Sequence, residues 1–440
     1  MTSRSSHSSC AWCDPSVILR HRFAAPAIGV LGIFPFLGIS THGQQSKPPV
    51  SQPFSYSASL SVKEAYDSDV FMQSVTPLAN QSSMVTTVTP SVGLAYKPSS
   101  AFNLSLAYSP ETVFYHSESA EDYVVHKGIL GATGKKGDFT WDIGNALTFI
   151  DGNESSPIFS GPGGAPALGG VPLRDRREAL VYRGAFKSQI TVAENWFVRP
   201  VTSAYVHDFY TLQKTNPPGS VYQNYADRND FNGGLDIGFK VAKELYLTAG
   251  YRYGVQDQGG LLGSPFQYDN TYHRVLFGIE GKPFDWLKLA LVAGPDIRSF
   301  ASSTPASFDR DHTHLFIDGS VTLTPTKRDT VAATAKRFEQ LGYGGASVYD
   351  DTVYDITWKR KIDDHWSCGL GFKALNWDFS APVNRGEWWL GPSAQVTYTF
   401  SKSFAAEAAY GYDRVRSDVP KTQGREAERH ITSLGLRYTF

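Results

Sequence analysis

The sequence predicts an all-β chain: a single closed antiparallel transmembrane β-barrel of about eighteen strands, with about sixteen as the alternative. Three observations predict it. Segments of about 10–15 residues alternate apolar and polar side chains with period two, the repeat of a strand with one apolar and one hydrated face. The turns between them fall into short polar and longer variable kinds that alternate along the chain. Aromatic residues gather at the ends of segments rather than at their middles.

Composition narrows the class. Of 440 residues, 19% are charged and 13% aromatic, against roughly 25% charged in ordinary globular chains. Beyond the N-terminus, no apolar run approaches the roughly 18 residues that a membrane helix needs. A barrel keeps mean hydropathy low even in lipid, because its inward residues are polar. The formal net charge of −1 excludes a nucleic-acid binder held by bulk positive charge.

Residues 1–43 read as a leader and signal peptide. Arg20, His21 and Arg22 precede the apolar run from Phe23 to Ile39, and Thr41 and Gly43 offer a cleavage site before Gln44. A signal anchor is the alternative, but Pro26 and Pro35 suit a processed segment better. The polar stretch from Met1 to Ser16 is unusual ahead of a signal and moves the expected translation start to near Val17. Cys10 and Cys13 form a Cys-x-x-Cys pair, yet both precede the expected cleavage and no second pair follows. The mature chain keeps Cys368 alone, beside Trp366, Leu370 and Phe372 on an apolar strand face that favours an inert thiol. Residues 44–53 form a short periplasmic segment, and 54–440 form the barrel.

The strands follow in order. From Phe54 to Val62, aromatic and aliphatic residues alternate with serines. Val88 to Tyr96, Phe102 to Tyr108, Leu180 to Phe186, Phe231 to Phe239, Leu245 to Tyr253, Trp388 to Phe400 and Phe404 to Tyr412 repeat the pattern. The segments 121–134 and 328–338 alternate weakly. At the C-terminus, Leu434, Leu436 and Tyr438 share one face, and Ser433, Gly435, Arg437 and Thr439 share the other. The alternation lapses at Ile431 and Thr432.

Short turns are expected at 97–100, 135–137, 193–195, 240–243, 281–283, 325–328, 361–364 and 401–402. Long loops are expected at 67–83, 151–177, 211–222, 257–267, 299–311 and 417–425. Tight turns at one rim and long loops at the other are the asymmetry of an outer-membrane-type barrel, with both mature termini at the periplasmic, short-turn rim. A barrel of this size leaves an aqueous channel, whereas about eight strands are filled by side chains. A soluble β-propeller or large sandwich is the alternative, but neither explains the alternation of loop lengths.

Beside the short turns stand Tyr96, Phe102, Trp141, Trp196, Phe284, Trp286, Trp366, Phe400, Phe404 and Tyr438. Beside the long loops stand Phe209, Tyr210, Tyr222, Phe231, Tyr253, Trp377, Trp388 and Tyr412. Two interfacial girdles produce such clustering.

With the apolar face toward lipid, the opposite face lines the lumen. The pore-lining candidates are Arg183, Lys187, Arg199, Asp236, Arg252, Arg274, Glu280, Asp318, Lys373, Glu407 and Arg437, with Asp142, Lys240, Lys336, Asp355, Lys359 and Arg429 beside them. A basic residue facing hydrocarbon at mid-bilayer costs roughly 2–4 kcal/mol, which drives such charges inward. They either serve permeation or pair across strands and keep the wall hydrated; their small basic surplus hints at anion preference. The loop 151–177 is Gly/Pro-rich and uncharged around Gly161, Pro162, Gly164, Leu168 and Pro172. It either folds into the channel mouth as a constriction or remains a surface loop.

No catalytic order of Ser, His and Asp stands out, no cofactor or metal site is implied, and no enzyme is expected. The run from Asp309 to His314 could hold a cation at a loop edge, although a hydrated loop running into a strand is the commoner outcome.

The terminal strand resembles the closing strand of bacterial outer-membrane β-barrels, whose last aromatic is read by the assembly machinery. Leu436, Tyr438 and Phe440 would form that signal. The mature chain resembles an outer-membrane porin-type barrel of a Gram-negative-type bacterium. Among known groups it looks most like the β-barrel porin-2 proteins, by length, signal and strand pattern. The resemblance implies passive diffusion of small hydrophilic solutes such as sugars or anions, residence in outer-membrane lipid and folding by the barrel-assembly machinery. It leaves a homotrimer as one option, since porins are often trimers. General porins constrict their channel with the third outer loop, and 151–177 is the third by count. The rival readings are a non-conducting barrel (adhesin, structural anchor or polysaccharide-export partner) and, behind it, a barrel enzyme. N-terminal sequencing of the exported protein is expected to begin at Gln44.

Overall fold

The computed structural model describes residues 53–72, 74, 79–151, 178–210, 213–214, 221–222, 226–260, 266–342, 347–419 and 426–440. The leader, the signal peptide and the loop candidates Gly161, Pro162, Gly164, Leu168 and Pro172 lie outside the described residues.

Eighteen antiparallel strands close into one barrel. They begin with β1 (Phe54–Asp67), β2 (Ser83–Ser99) and β3 (Phe102–Tyr108 continuing as Glu111–Tyr115). Pro110 lies in the gap of β3, where a residue without an N–H interrupts the ladder. Next come β4 (Tyr123–Lys136), β5 (Phe139–Asp151), β6 (Ala179–Ala193) and β7 (Trp196–Phe209). The middle of the wall is β8 (Arg228–Ala242), β9 (Leu245–Gln258), β10 (Asn270–Phe284) and β11 (Leu287–Phe300). Then follow β12 (Asp311–Leu323), β13 (Asp329–Leu341), β14 (Val348–Lys361) and β15 (Trp366–Phe379). The last are β16 (Arg385–Thr399), β17 (Phe404–Ser417) and β18 (Ala427–Thr439). The weakly alternating segments 121–134 and 328–338 thus belong to β4 and β13.

Each strand pairs with its sequence neighbours, and β1 pairs with β18 from Ser59↔Thr439 to Asp67↔Ile431. That last ladder removes the two edges that an open sheet would present.

Period two sorts the side chains. Leu60, Val62, Leu94, Leu106, Leu147, Ile237, Leu247, Phe277, Leu291, Ile356, Leu370, Leu434 and Leu436 are all exposed on the outer surface. At the short-turn rim the outward aromatics touch across strands, with ring centroids 4.4 Å apart for Phe54–Tyr96 and 4.7 Å for Trp366–Tyr398, and within the β10–β11 turn, at 5.4 Å for Phe284–Trp286. Toward the long-loop rim, tyrosine hydroxyls meet histidines of the next strand, at 2.8 Å for Tyr108–His126, 2.5 Å for Tyr251–His273 and 2.8 Å for Tyr410–His430. An amphipathic ring that needs an apolar body and a wet tip suits an interface. Two expected members of that girdle belong elsewhere. Phe209 and Trp377 are buried on the inward face.

The turns also shift. Gly281, Lys282 and Pro283, expected as a turn, lie within β10 beside a register irregularity, and the turn falls at Asp285 and Trp286. Lys97 and Lys240 likewise remain inside β2 and β8. Gly137 takes φ +59 in the β4–β5 turn, a left-handed conformation that glycine reaches without a Cβ clash.

One seam departs from a uniform wall. β12 and β13 pair only from Leu323↔Val331 to Ile317↔Arg337, whereas β13 stays with β14 as far as Leu341↔Val348. Beyond Arg337, β13 parts from β12 and the hairpin bends into the lumen, while β14 keeps its ladder to β15 as far as Tyr349↔Phe379.

At the other rim, Phe440 is 77% exposed and its N–H donates to the Ala58 carbonyl at 3.0 Å. Deleting Phe440 is expected to impair barrel assembly more than conductance, read by heat-modifiable gel migration. Normal assembly of the truncated chain would show that the aromatic end is no signal.

Candidate functional site

The pore-lining candidates all stand on the inward face of their strands, opposite the exposed apolar residues. They divide into three environments. Arg183, Lys373, Glu407 and Arg437 are exposed, and the Arg183 guanidinium lies 5.0 Å from the Tyr205 ring centroid. Lys187 borders a cavity. The others are engaged by opposite charges: Arg199 pairs with Glu280, Asp236 lies 2.7 Å from Arg252, Arg274 lies 2.9 Å from Asp296, and Asp318 lies 3.8 Å from Lys336.

The cavity, of about 680 Å³, lies at the short-turn end of the inner wall. Lys97, Asn103, Thr133, Lys135, Asp142, Lys187, Gln189, Arg199 and Glu280 are among its lining residues. Arg199 and Glu280 neutralise one another by a charge-assisted pair. Lys97, Lys135 and Lys187 then outnumber Asp142, so the wall there is basic. Lys97 and Lys135 were assigned to turns by the sequence; period two and the strand ends place them inside instead.

The half of the lumen nearer the long loops is packed rather than open among the described residues. Leu341 and Val348 of the hairpin join Tyr268, Phe300 and Phe308 in one apolar cluster. On the other side of the hairpin, Tyr349 packs with Met72, Trp377, Phe379, Val415 and Ala427. The start of the β1–β2 loop folds inward as well: Val70 and Phe71 pack on Val85, Val113 and Tyr115. Chain from β1 and from β13–β14 therefore meets inside the barrel, at Met72 and Tyr349.

Polar groups tie the hairpin to the opposite wall. Arg228 donates to the Leu341 carbonyl at 2.6 Å, and Gln258 to the Gly342 carbonyl at 2.6 Å. Arg298 has no exposed side-chain surface. Its guanidinium donates to Gln256 at 2.6 Å, Asn270 at 3.2 Å, Asp296 at 2.9 Å and the Glu339 carbonyl at 3.1 Å, and it lies 3.2 Å from the Glu339 carboxylate. A buried charge is tolerated where its donors are met and its countercharge is close. Tyr272, under both Arg274 and Arg298 at 4.1 and 4.7 Å, donates its hydroxyl hydrogen to Asp230 at 2.7 Å and completes the network.

His312 and His314 belong to this region. The sequence placed them where a hydrated loop runs into a strand, and both lie on the inward face of β12, where their Nε2 atoms approach the Glu339 carboxylate at 2.8 and 2.6 Å.

Sequence reasoning missed the hairpin, although a signal was present. On β13, Val331, Ala333 and Ala335 occupy the outward parity, and the next outward positions are Arg337 and Glu339. On β14 the outward series Ile356, Tyr354, Thr352 ends in Asp350. Charges on a lipid face mark strands that leave the wall. Replacing Arg298 by Ala removes the buried cation between Asp296 and Glu339, leaving Asp296 with Arg274 and Glu339 with the two histidines; removing one member of a buried pair costs roughly 3–5 kcal/mol. Arg298→Ala is expected to undock the hairpin while the barrel survives, read as new protease cleavage within 338–350 of the folded protein.

No family model matches the chain, and no curated protein matches it. Among solved structures it is similar to Acinetobacter baumannii OccAB4, at 12% identity and TM-score 0.40, covering 88% of this chain and 98% of that one. The outer membrane protein OpdK from Pseudomonas aeruginosa gives 9% identity and TM-score 0.40, with 88% and 99% covered. OmpT, an outer membrane protein of Vibrio cholerae, gives 13% identity and TM-score 0.35, with 90% and 100% covered.

Proposed function

We propose that this chain is an outer-membrane channel of the porin type, passing small hydrophilic solutes by passive diffusion, and that it is of the β-barrel porin-2 kind. The observation that carries the reading is a closed barrel that is apolar outside and charged inside. Closure pairs the strand backbone internally, the condition for residing in hydrocarbon. The two aromatic belts mark the interfaces, and the mature termini lie at the periplasmic rim. The basic cavity at Lys97, Lys135 and Lys187 favours anionic or polar solutes. The lipid-facing positions of Leu436, Tyr438 and Phe440 support their role as the signal read by the barrel-assembly machinery.

The passage is narrowed by the β13–β14 hairpin and the inward start of the β1–β2 loop. That packing also favours the rival, a barrel that anchors or adheres without conducting. Planar-bilayer recording separates the two. Small stepwise conductance is expected from the refolded protein, and a larger one when 338–350 is replaced by a short Gly-Ser turn. Silence from both proteins would remove the channel reading and leave the rival.

Ion selectivity tests the cavity. Combining Lys97→Glu, Lys135→Glu and Lys187→Glu is expected to shift the reversal potential toward cation preference. Arg252 is a poor probe, because its bridge to Asp236 makes any charge reversal a structural lesion. An unchanged reversal potential would place the three lysines off the conducting path.

A further inference from the structure

We propose that His312, His314 and Glu339 bind a divalent transition-metal ion of the zinc class, and that the bound ion clamps the inward hairpin to the barrel wall. His312 and His314 are two residues apart on β12, so both rings project from one face of the strand. The rings are nearly perpendicular, with centroids 4.4 Å apart. Glu339 arrives from the hairpin and is almost wholly buried. The three ligand atoms lie within 4.8 Å of one another.

The partners of the second ring nitrogens decide the chemistry. His312 Nδ1 lies 2.6 Å from the Asp309 carbonyl oxygen, and His314 Nδ1 lies 3.2 Å from an Asp350 carboxylate oxygen. Both oxygens can only accept. Each ring therefore carries its proton on Nδ1 and, when neutral, turns the Nε2 lone pair toward Glu339. Two lone pairs and a carboxylate oxygen then converge on one point, and acceptors do not hydrogen-bond to acceptors. Either a proton on each Nε2 or a cation shared by all three ligands resolves that convergence.

A carbonyl or carboxylate behind the imidazole is the usual outer shell of a metal-bound histidine, fixing its tautomer and orientation. Two histidines and one glutamate also form a recognised zinc ligand set that keeps a further position open. Imidazole with carboxylate selects zinc-like ions over magnesium or calcium. The Nε2–Oε2 separations of 2.8 and 2.6 Å would widen by about half an ångström to admit an ion with ligand distances near 2.0 Å. The hairpin can give that much, because beyond Arg337 no ladder binds it to β12. Nor does local charge forbid a cation. Arg274, Arg298 and Arg337 are matched by Asp296, Glu339 and Asp350.

An ion held by two ligands from the wall and one from the hairpin joins the two bodies. Its effect on conductance rests on the channel reading; binding of the ion does not. The rival occupant of the same point is a proton on each imidazole.

The refolded full-length protein, freed of metal by a chelator, would be titrated with Co²⁺ and then Zn²⁺. The expected result is one saturable Co²⁺ site per chain with visible ligand-field bands, displaced by Zn²⁺. His312→Ala and His314→Ala should each abolish the bands, and Asp350→Asn should weaken binding roughly 10–100-fold. Heat-modifiable migration checks that every variant is a closed barrel. Absence of the bands in the native protein, or their persistence in both histidine variants, would overturn the site in favour of protons. Zn²⁺ should then lower conductance of the native channel and leave His314→Ala unaffected. Stoichiometric binding with identical conductance would overturn the clamp and leave both the site and the channel standing, whereas binding by a silent barrel would count against the channel alone.

Discussion

The ladder between β1 and β18 is the constraint on which the molecule depends. All eighteen strands could pair through seventeen ladders in an open sheet, but only the meeting of Ser59↔Thr439 through Asp67↔Ile431 abolishes the edges. Once that ladder is set, the parity of every strand follows. A slip of one residue would exchange the two faces of β18, turning Arg437 toward lipid and Leu436 into the lumen. The register is therefore held by side chains as much as by the turns.

Closure at this circumference creates a second problem. The interior is too wide for side chains alone to fill, unlike that of an eight-stranded barrel. Near the short turns the interior keeps its cavity, walled by unequal numbers of lysines and acids. Near the long loops, backbone itself is brought inside. This inward backbone needs hydrogen-bond partners, and Arg228, Gln258 and Arg298 supply donors to the carbonyls of Leu341, Gly342 and Glu339. The buried charges are thus a consequence of moving main chain into the lumen. Their packing is aromatic on either side, with Phe300 and Phe308 on one face of the hairpin and Trp377 and Phe379 on the other.

Much of this was legible in the amino-acid order because a strand's two faces meet different solvents. Leu434, Leu436 and Tyr438 reveal the outward parity of β18 without any tertiary knowledge, and the same reasoning orients Arg183 and Lys187. What stayed hidden depends on register. No local pattern says that Tyr108 will stand beside His126, or that Arg199 will reach Glu280 three strands away. Phe209 and Trp377 look like girdle residues by position, and parity alone would have turned them inward. The hairpin was hidden for a different reason. Its outward charges at Arg337, Glu339 and Asp350 read as poor alternation, when they are good alternation for strands with protein on both faces. His312 and His314 acquire their partner only through that fold, so the motif looked like an ordinary passage from loop to strand.

A partition cut from the wall behaves unlike a separate plug. Its root is fixed where Ile317 pairs with Arg337, and its β14 arm stays zipped to β15 as far as Tyr349↔Phe379, so it is a flap with one free edge, the β13 edge that faces β12. Such a flap cannot close flush. Zipping 338–341 back onto β12 would present Glu339 and Arg337 to lipid, at up to roughly 2–4 kcal/mol for the arginine at mid-bilayer and less near the interface. Any change of aperture must therefore come from the free β13 edge moving within the lumen, while the gap it left beside β12 stays.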